Sequence, residues 1–249
     1  MIREEKIAVF QPLLDKFETE SMRLYCEDMI ATIPDYIFEI PSSTSSKFHN
    51  ATQCQPHGQV YHIIMFGEIM NHRLNIKGNK DKFKSPIQRD AMRCTPIFHD
   101  ALKCGENGQY TVFEHPLLAG EWVRETKVEH DIDDKTKEAI ARMCERHSGE
   151  WVTSKKSDIV LPEPENAMEL FVHECDYLSS RNNIDMPIPE YLKICFGEVE
   201  LPDINKYIIE FGKHKGKTLI EINEIDNGWI RWAKENINRH PEAALLKQL

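Results

Sequence analysis

None of the seven cysteines belongs to a Cys-x-x-Cys pair, and seven is an odd count. Zinc ribbons and disulfide scaffolds both need paired cysteines, so reduced thiols in a cytoplasmic protein are expected. The sequence has no apolar run near the ~18 residues that a membrane helix requires. It also shows no charged-then-apolar leader at its start, so a soluble chain with no membrane partner is expected. Positive charge is scarce as well: 31 Lys and Arg stand against 41 Asp and Glu, a net charge of −10. That balance excludes broad, indiscriminate cover of nucleic acid, where a basic face supplies the affinity. A nucleotide, or the end of a short strand, held in a local pocket remains compatible with it. The 249 residues are 41% hydrophobic and 29% charged, which places them with globular chains of one or two domains rather than disordered ones.

The apolar spacing predicts helices over Gln11–Ile33, Val60–Met70, Ile87–Phe98, Pro116–Arg124, Asp133–Arg146 and Asn166–Arg181. Asn71–Ser85, polar and lysine-rich, reads as a surface insertion. No clear strand alternation precedes residue 182, so residues 1–182 are expected to form a mainly α domain. Residues 183–203, with Pro187, Pro189 and Pro202, read as a linker. Residues 204–249 are expected to form a small α+β module. In it, Tyr207–Phe211 would be a strand, Gly212–Lys217 a positively charged turn, and Thr218 the cap of a short helix. Trp229 and Trp232 would sit on a second helix.

Histidine carries most of the chemistry. The adjacent pair His99–Asp100 at a helix end can aim an imidazole nitrogen and a hard carboxylate oxygen into one pocket, the mixture that holds water-activating divalent metals. His62, His115, His147 and Asp176 lie on or beside other predicted helices. Asp176 follows Val172 by four residues, beside a buried face where an unpaired carboxylate is costly without a cation. His173 reads as a packing residue or a support to a ligand. Ahead of His62 lies a Ser/Thr-rich loop, Pro41–His49, in which Ser45, Lys47 and His49 offer hydroxyl donors and positive charge to a phosphate.

In their order along the chain, these residues resemble the HD superfamily of metal-dependent phosphohydrolases, whose signature runs His…His-Asp…(His…His)…Asp. Phe98-His-Asp-Ala-Leu-Lys-Cys-Gly105 is similar to the family's His-Asp-x-x-Lys segment, and Val172–Ser180 to its terminal aspartate helix. The resemblance covers residues 40–181. It implies an HD-type helical domain with His62, His99, Asp100, His115, His147 and Asp176 as metal ligands, and Asp100 and Lys103 in catalysis. His115 and His147 are similar to the extra histidines of members that hold two metals. The implied cofactor is one or two divalent ions, drawn from Mn, Fe, Co, Ni, Mg or Zn. The loop before His62 is similar to one in HD-type 3′–5′ exoribonucleases. His57 competes with His62 for the place of first ligand, and the loop resemblance favours His62.

Ile209–Leu219 with Asp226–Trp232 resembles the small module at the C-terminus of exodeoxyribonuclease X-type proteins. It implies phosphate contacts from Lys213, Lys215 and Lys217, with Trp229 or Trp232 either stacking on a base or filling the core. The expected activity is therefore hydrolysis of phosphoester bonds in nucleotides or short single-stranded nucleic acid by metal-activated water. Hydrolysis of mononucleotides or cyclic nucleotides, and two-iron oxygenase chemistry on the same ligand set, are the alternatives.

Overall fold

The structure is a computed structural model of the full chain. It describes all residues except 44–47, 106–107, 109–110, 156, 185, 198–200 and 238–240. The described chain is mainly α, and its contacts divide it into two compact units, residues 1–39 with 60–180 and residues 40–59 with 181–249.

The first unit opens with α1 (Arg3–Leu14) and α2 (Glu20–Thr32), two helices where apolar spacing predicts one. The break has a distant cause. Asp90, fully buried, accepts hydrogen bonds from the Glu18 amide (3.0 Å), the Thr19 amide (2.8 Å) and the Thr19 hydroxyl (2.7 Å). Its charge is met by Arg93 at 2.8 Å, and Arg93 and Arg89 together grip the Glu18 carboxylate. Burying a carboxylate costs several kcal/mol, and hydrogen bonds to a charged group return about 1.5–3 kcal/mol each, so this number of them is what makes the burial tenable.

Helix α3 (Gly58–Leu74) runs on into the stretch read as an insertion, and α4 (Lys77–Lys82) follows on the surface with no buried residue. Helix α5 (Pro86–Phe98) is the centre of the unit. It starts on a proline, whose missing N–H is harmless in a first turn, and every residue from Arg89 to Phe98 is buried. It packs against α2 and against two later helices, α7 (Asp134–Glu145) and α8 (Ala167–Ser179). Between α5 and α7 comes α6 (His115–Glu125), which packs on α7. Asp133 caps α7 through the Thr136 amide, and Asn166 caps α8 through the amides of Met168 and Glu169.

In the second unit, the proline-containing stretch read as a linker holds α9 (Glu190–Phe196). The strand expected at Tyr207–Phe211 amounts to one bridge, Ile208 to Thr218. Thr218 does cap α10 (Leu219–Ile225), in a reciprocal capping box with Glu221. Helices α11 (Asn227–Asn236) and α12 (Glu242–Leu246) complete a small core in which Ile209, Leu219, Ile222, Ile230 and Leu245 surround Trp229. The cysteines are all unpaired, and six of them are buried. Among the described residues, no helix is long and apolar enough to cross a membrane.

Candidate metal centre

A neutral imidazole carries its proton on one nitrogen, and a carbonyl oxygen can only accept. Three histidines of the first unit meet a carbonyl three residues upstream. His99 Nδ1 lies 2.9 Å from Pro96 O, His115 Nδ1 2.7 Å from Val112 O, and His147 Nδ1 2.7 Å from Cys144 O. Each Nδ1 therefore donates to its carbonyl, which turns each Nε2 away from the ring's own backbone. His62, on α3, reaches the same end by another route. Ser179 gives its hydroxyl proton to Asp176 O at 2.7 Å, so toward His62 Nδ1, 3.3 Å away, its oxygen acts as acceptor.

The four Nε2 atoms converge with two carboxylates. His62 Nε2 stands 3.2 Å from His99 Nε2 and 3.1 Å from Asp176 Oδ1. Asp100 Oδ2 lies 3.3 Å from His99 Nε2, while its other oxygen faces His115 Nε2 at 2.9 Å and His147 Nε2 at 3.8 Å. The structure thus brings together His62, His99, Asp100, His115, His147 and Asp176, all from the first unit. Three overlapping groups, His62–His99–Asp100, His99–His147–Asp176 and Asp100–His115–His147, each keep their ligand atoms within 4.8 Å and could hold a metal ion.

The donor set fits such an ion. Two imidazole lone pairs 3.2 Å apart repel unless a shared proton or a cation lies between them. Nitrogen and oxygen donors without sulfur suit borderline and hard divalent metals. Electrostatics agrees. Burial alone would raise the pKa of Asp100, but the charges of His99, Lys103 and His115 hold it well below the usual carboxylate range. Asp176 is likewise held down by His62 and His99 against the effect of its burial. Burial drives His147 down to about 3, with His99 adding to the shift, so this ring stays neutral and able to ligate. Lys103 is buried beside the cluster, with its ammonium 2.6 Å from Asp100 Oδ2.

The remaining candidate residues lie in the second unit. Ser45 and Lys47 are outside the described residues. His49 bonds Gln53 Oε1 at 2.8 Å through Nδ1, and His57 stacks on Phe196 with ring centres 4.4 Å apart. In the basic turn Lys213 is drawn to Asp226 at 2.6 Å, while Lys215 and Lys217 are exposed. Asp226 also accepts from His214 at 3.0 Å and caps α11 through the Trp229 amide at 2.9 Å. Trp229 is buried, and Trp232 is half exposed.

Residues 209–238 match the exodeoxyribonuclease X-like C-terminal family. That stretch is a nuclease-related module, and it contains the basic turn, the Trp229 core and Trp232. No curated protein and no solved structure matches the chain. Sequence reasoning passed over two side chains that orient this site, Ser179 and Tyr36. Ser179 had a usable signal, since it follows Asp176 by three residues and so shares its helix face. Tyr36 accepts from the Cys104 amide at 3.2 Å and donates to Gly105 O at 2.9 Å, fixing the turn after Lys103. It carried no signal, because its partners lie 68 and 69 residues away.

Proposed function

We propose that residues 1–182 form an HD-type metal-dependent phosphohydrolase domain, joined by residues 183–203 to the module of 204–249. Its reaction is the hydrolysis of phosphoester bonds in nucleotides or oligonucleotides. The observation that carries this reading is the convergence of four imidazole Nε2 atoms on two carboxylates, Asp100 and Asp176, whose pKa values are held low. His62, His99, Asp100, His115, His147 and Asp176 would hold one or two divalent ions. When bound, such ions make water nucleophilic near neutral pH and offset the charge that builds on phosphorus.

The chain's own residues divide the remaining work. Asp100 presents one oxygen toward His99 and the other toward His115 and His147, which suits it to serve two ions at once and to orient the attacking water. Lys103 keeps Asp100 ionised and offers positive charge to a phosphate oxygen. The neighbouring thiols do not compete as nucleophiles. Burial pushes Cys175 up to about 12 and Cys144 higher still, far from the thiolate form. Ser45, Lys47 and His49 are assigned to the substrate phosphate, and the module's basic turn to the strand of a nucleic-acid substrate.

The test is turnover of bis-p-nitrophenyl phosphate and of nucleotides by protein loaded with Mn²⁺ or Co²⁺. EDTA is expected to abolish activity, and His99→Ala/Asp100→Ala to reduce it to the level of stripped protein while the helical circular dichroism is retained. No turnover with any divalent metal overturns the reading. Bound iron with O₂ uptake and no phosphate release would point instead to the two-iron oxygenase.

A further inference from the structure

Beside the His/Asp cluster, and outside it, lies a cavity of about 440 Å³ lined by Arg73, Glu150, His173, Glu174, Tyr177 and Leu178. Trp151 borders it. The indole lies flat against the Tyr177 ring, with centres 5.5 Å apart and planes 4° apart, and its centre is 5.8 Å from that of His173. Trp151 is 51% exposed and Tyr177 37%, so a stacked aromatic pair stands open to solvent at the rim. Contiguous exposed apolar surface rimmed by polar residues is the kind of surface that takes a ligand.

Two covalent links tie the cavity to the cluster. Tyr177 is the neighbour of Asp176 on α8, and Trp151 lies four residues after His147. A hydrogen bond adds a third tie, since His173 Nδ1 donates to the His147 carbonyl at 2.8 Å. Residue 149 must be glycine for this to hold. Its φ is +64°, and a Cβ there would fall 2.1 Å from His173 Cε1. The 147–151 loop is thereby seated on the His173 ring, and Trp151 is carried to the rim.

Charge selects the occupant. Arg73 is paired with Glu174, and Glu150 approaches His173 Nε2 at 3.4 Å, so the lining holds two carboxylates against one guanidinium. Such a lining disfavours a phosphate and suits a neutral, flat heterocycle that donates hydrogen bonds. We propose that this cavity takes the nucleobase of the substrate, stacked on Trp151–Tyr177 with its exocyclic amino group directed to Glu150. The inference deepens the phosphohydrolase reading and rests on it for the placement of the phosphate.

Binding decides the matter independently of turnover. Full-length protein stripped with EDTA is titrated with adenosine 5′-monophosphate, uridine 5′-monophosphate and ribose 5-phosphate, following tryptophan emission and equilibrium dialysis. Adenosine monophosphate is expected to quench the emission and ribose 5-phosphate to leave it unchanged. Trp151→Leu weakens adenosine monophosphate binding about 10-fold or more, and Trp151→Phe, which keeps a stacking face, restores most of it. Glu150→Gln narrows the preference for adenosine over uridine monophosphate. Equal affinity of wild type and Trp151→Leu for adenosine monophosphate overturns the inference, and does so even if the protein cleaves bis-p-nitrophenyl phosphate. Quenching that depends on Trp151, in a protein that cleaves no phosphoester, keeps the base site and discards the phosphohydrolase.

Discussion

Three imidazoles of the cluster are aimed by one short device, an Nδ1–H given to the carbonyl three residues back. His62 is aimed instead by a side chain on another helix, and its orientation is therefore open to mutation without touching a candidate ligand. Ser179→Ala should lower metal affinity or kcat/KM about 10- to 100-fold, the usual cost of losing a support behind a metal-binding imidazole. Isothermal titration with Mn²⁺ and steady-state kinetics would measure it. Ser180→Ala is the control, because that hydroxyl donates to Tyr177 O at 3.0 Å on the same turn. His99 and Asp100 were legible in the sequence because they are adjacent, and Asp176 because a carboxylate beside a buried stripe asks for a counter-charge. The Nδ1 partners were not legible. Whether a carbonyl three residues back faces the ring depends on how the chain turns after each helix, which residue type alone does not encode.

At the scale of elements, the corner between α1 and α2 shows why a periodicity argument fails there. The residues around 15–19 carry no strong breaker, and the corner is made by Asp90 and the two arginines of α5. Glu18 reports on it. Its hydrogen bond to Arg89, with help from Arg93, outweighs burial and lowers its pKa from an ordinary 4.5 to about 2. A depressed carboxylate stabilises the fold fully above its unfolded value and loses that contribution as pH falls toward the folded one. Glu18→Gln should therefore destabilise the protein by about 1 kcal/mol at pH 7, once solvent screening of this partly exposed group is allowed for. It should also flatten the loss of stability between pH 4.5 and 2. Urea midpoints at pH 7 and pH 3 test both parts, and an unchanged pH dependence would show that the corner does not depend on this ion pair. The short helix inside the proline-containing stretch was missed for a related reason. Pro189 is a cap residue there rather than a breaker, since α9 begins immediately after it.

For the molecule as a whole, a net charge of −10 and a basic turn are not in conflict, because the turn is local and one of its three lysines is already committed to Asp226. On the proposed function, strand binding would be left to Lys215 and Lys217. Replacing both with alanine should weaken single-stranded DNA binding and reduce the slope of log affinity against log salt by about 1.4, at ~0.7 for each phosphate no longer neutralised. Fluorescence anisotropy across a salt series measures this, and an unchanged slope would remove the turn from the interface. The split roles of the two tryptophans follow from size. A core this small cannot spare Trp229, whose burial is worth about 2 kcal/mol or more, whereas Trp232 can stay at the surface.

The Asp90 corner also bears on how the chain comes into being. Ribosomes release residues from the N-terminal end, and the Glu18 amide emerges 72 positions ahead of the carboxylate that receives it. At ~5–20 residues per second, that interval lasts about 4–14 s. Throughout it the corner between the first two helices lacks the Asp90 bonds, and the pair is held only by its own contacts, among them Arg3 to Asp28 and Lys6 to the Ile33 carbonyl.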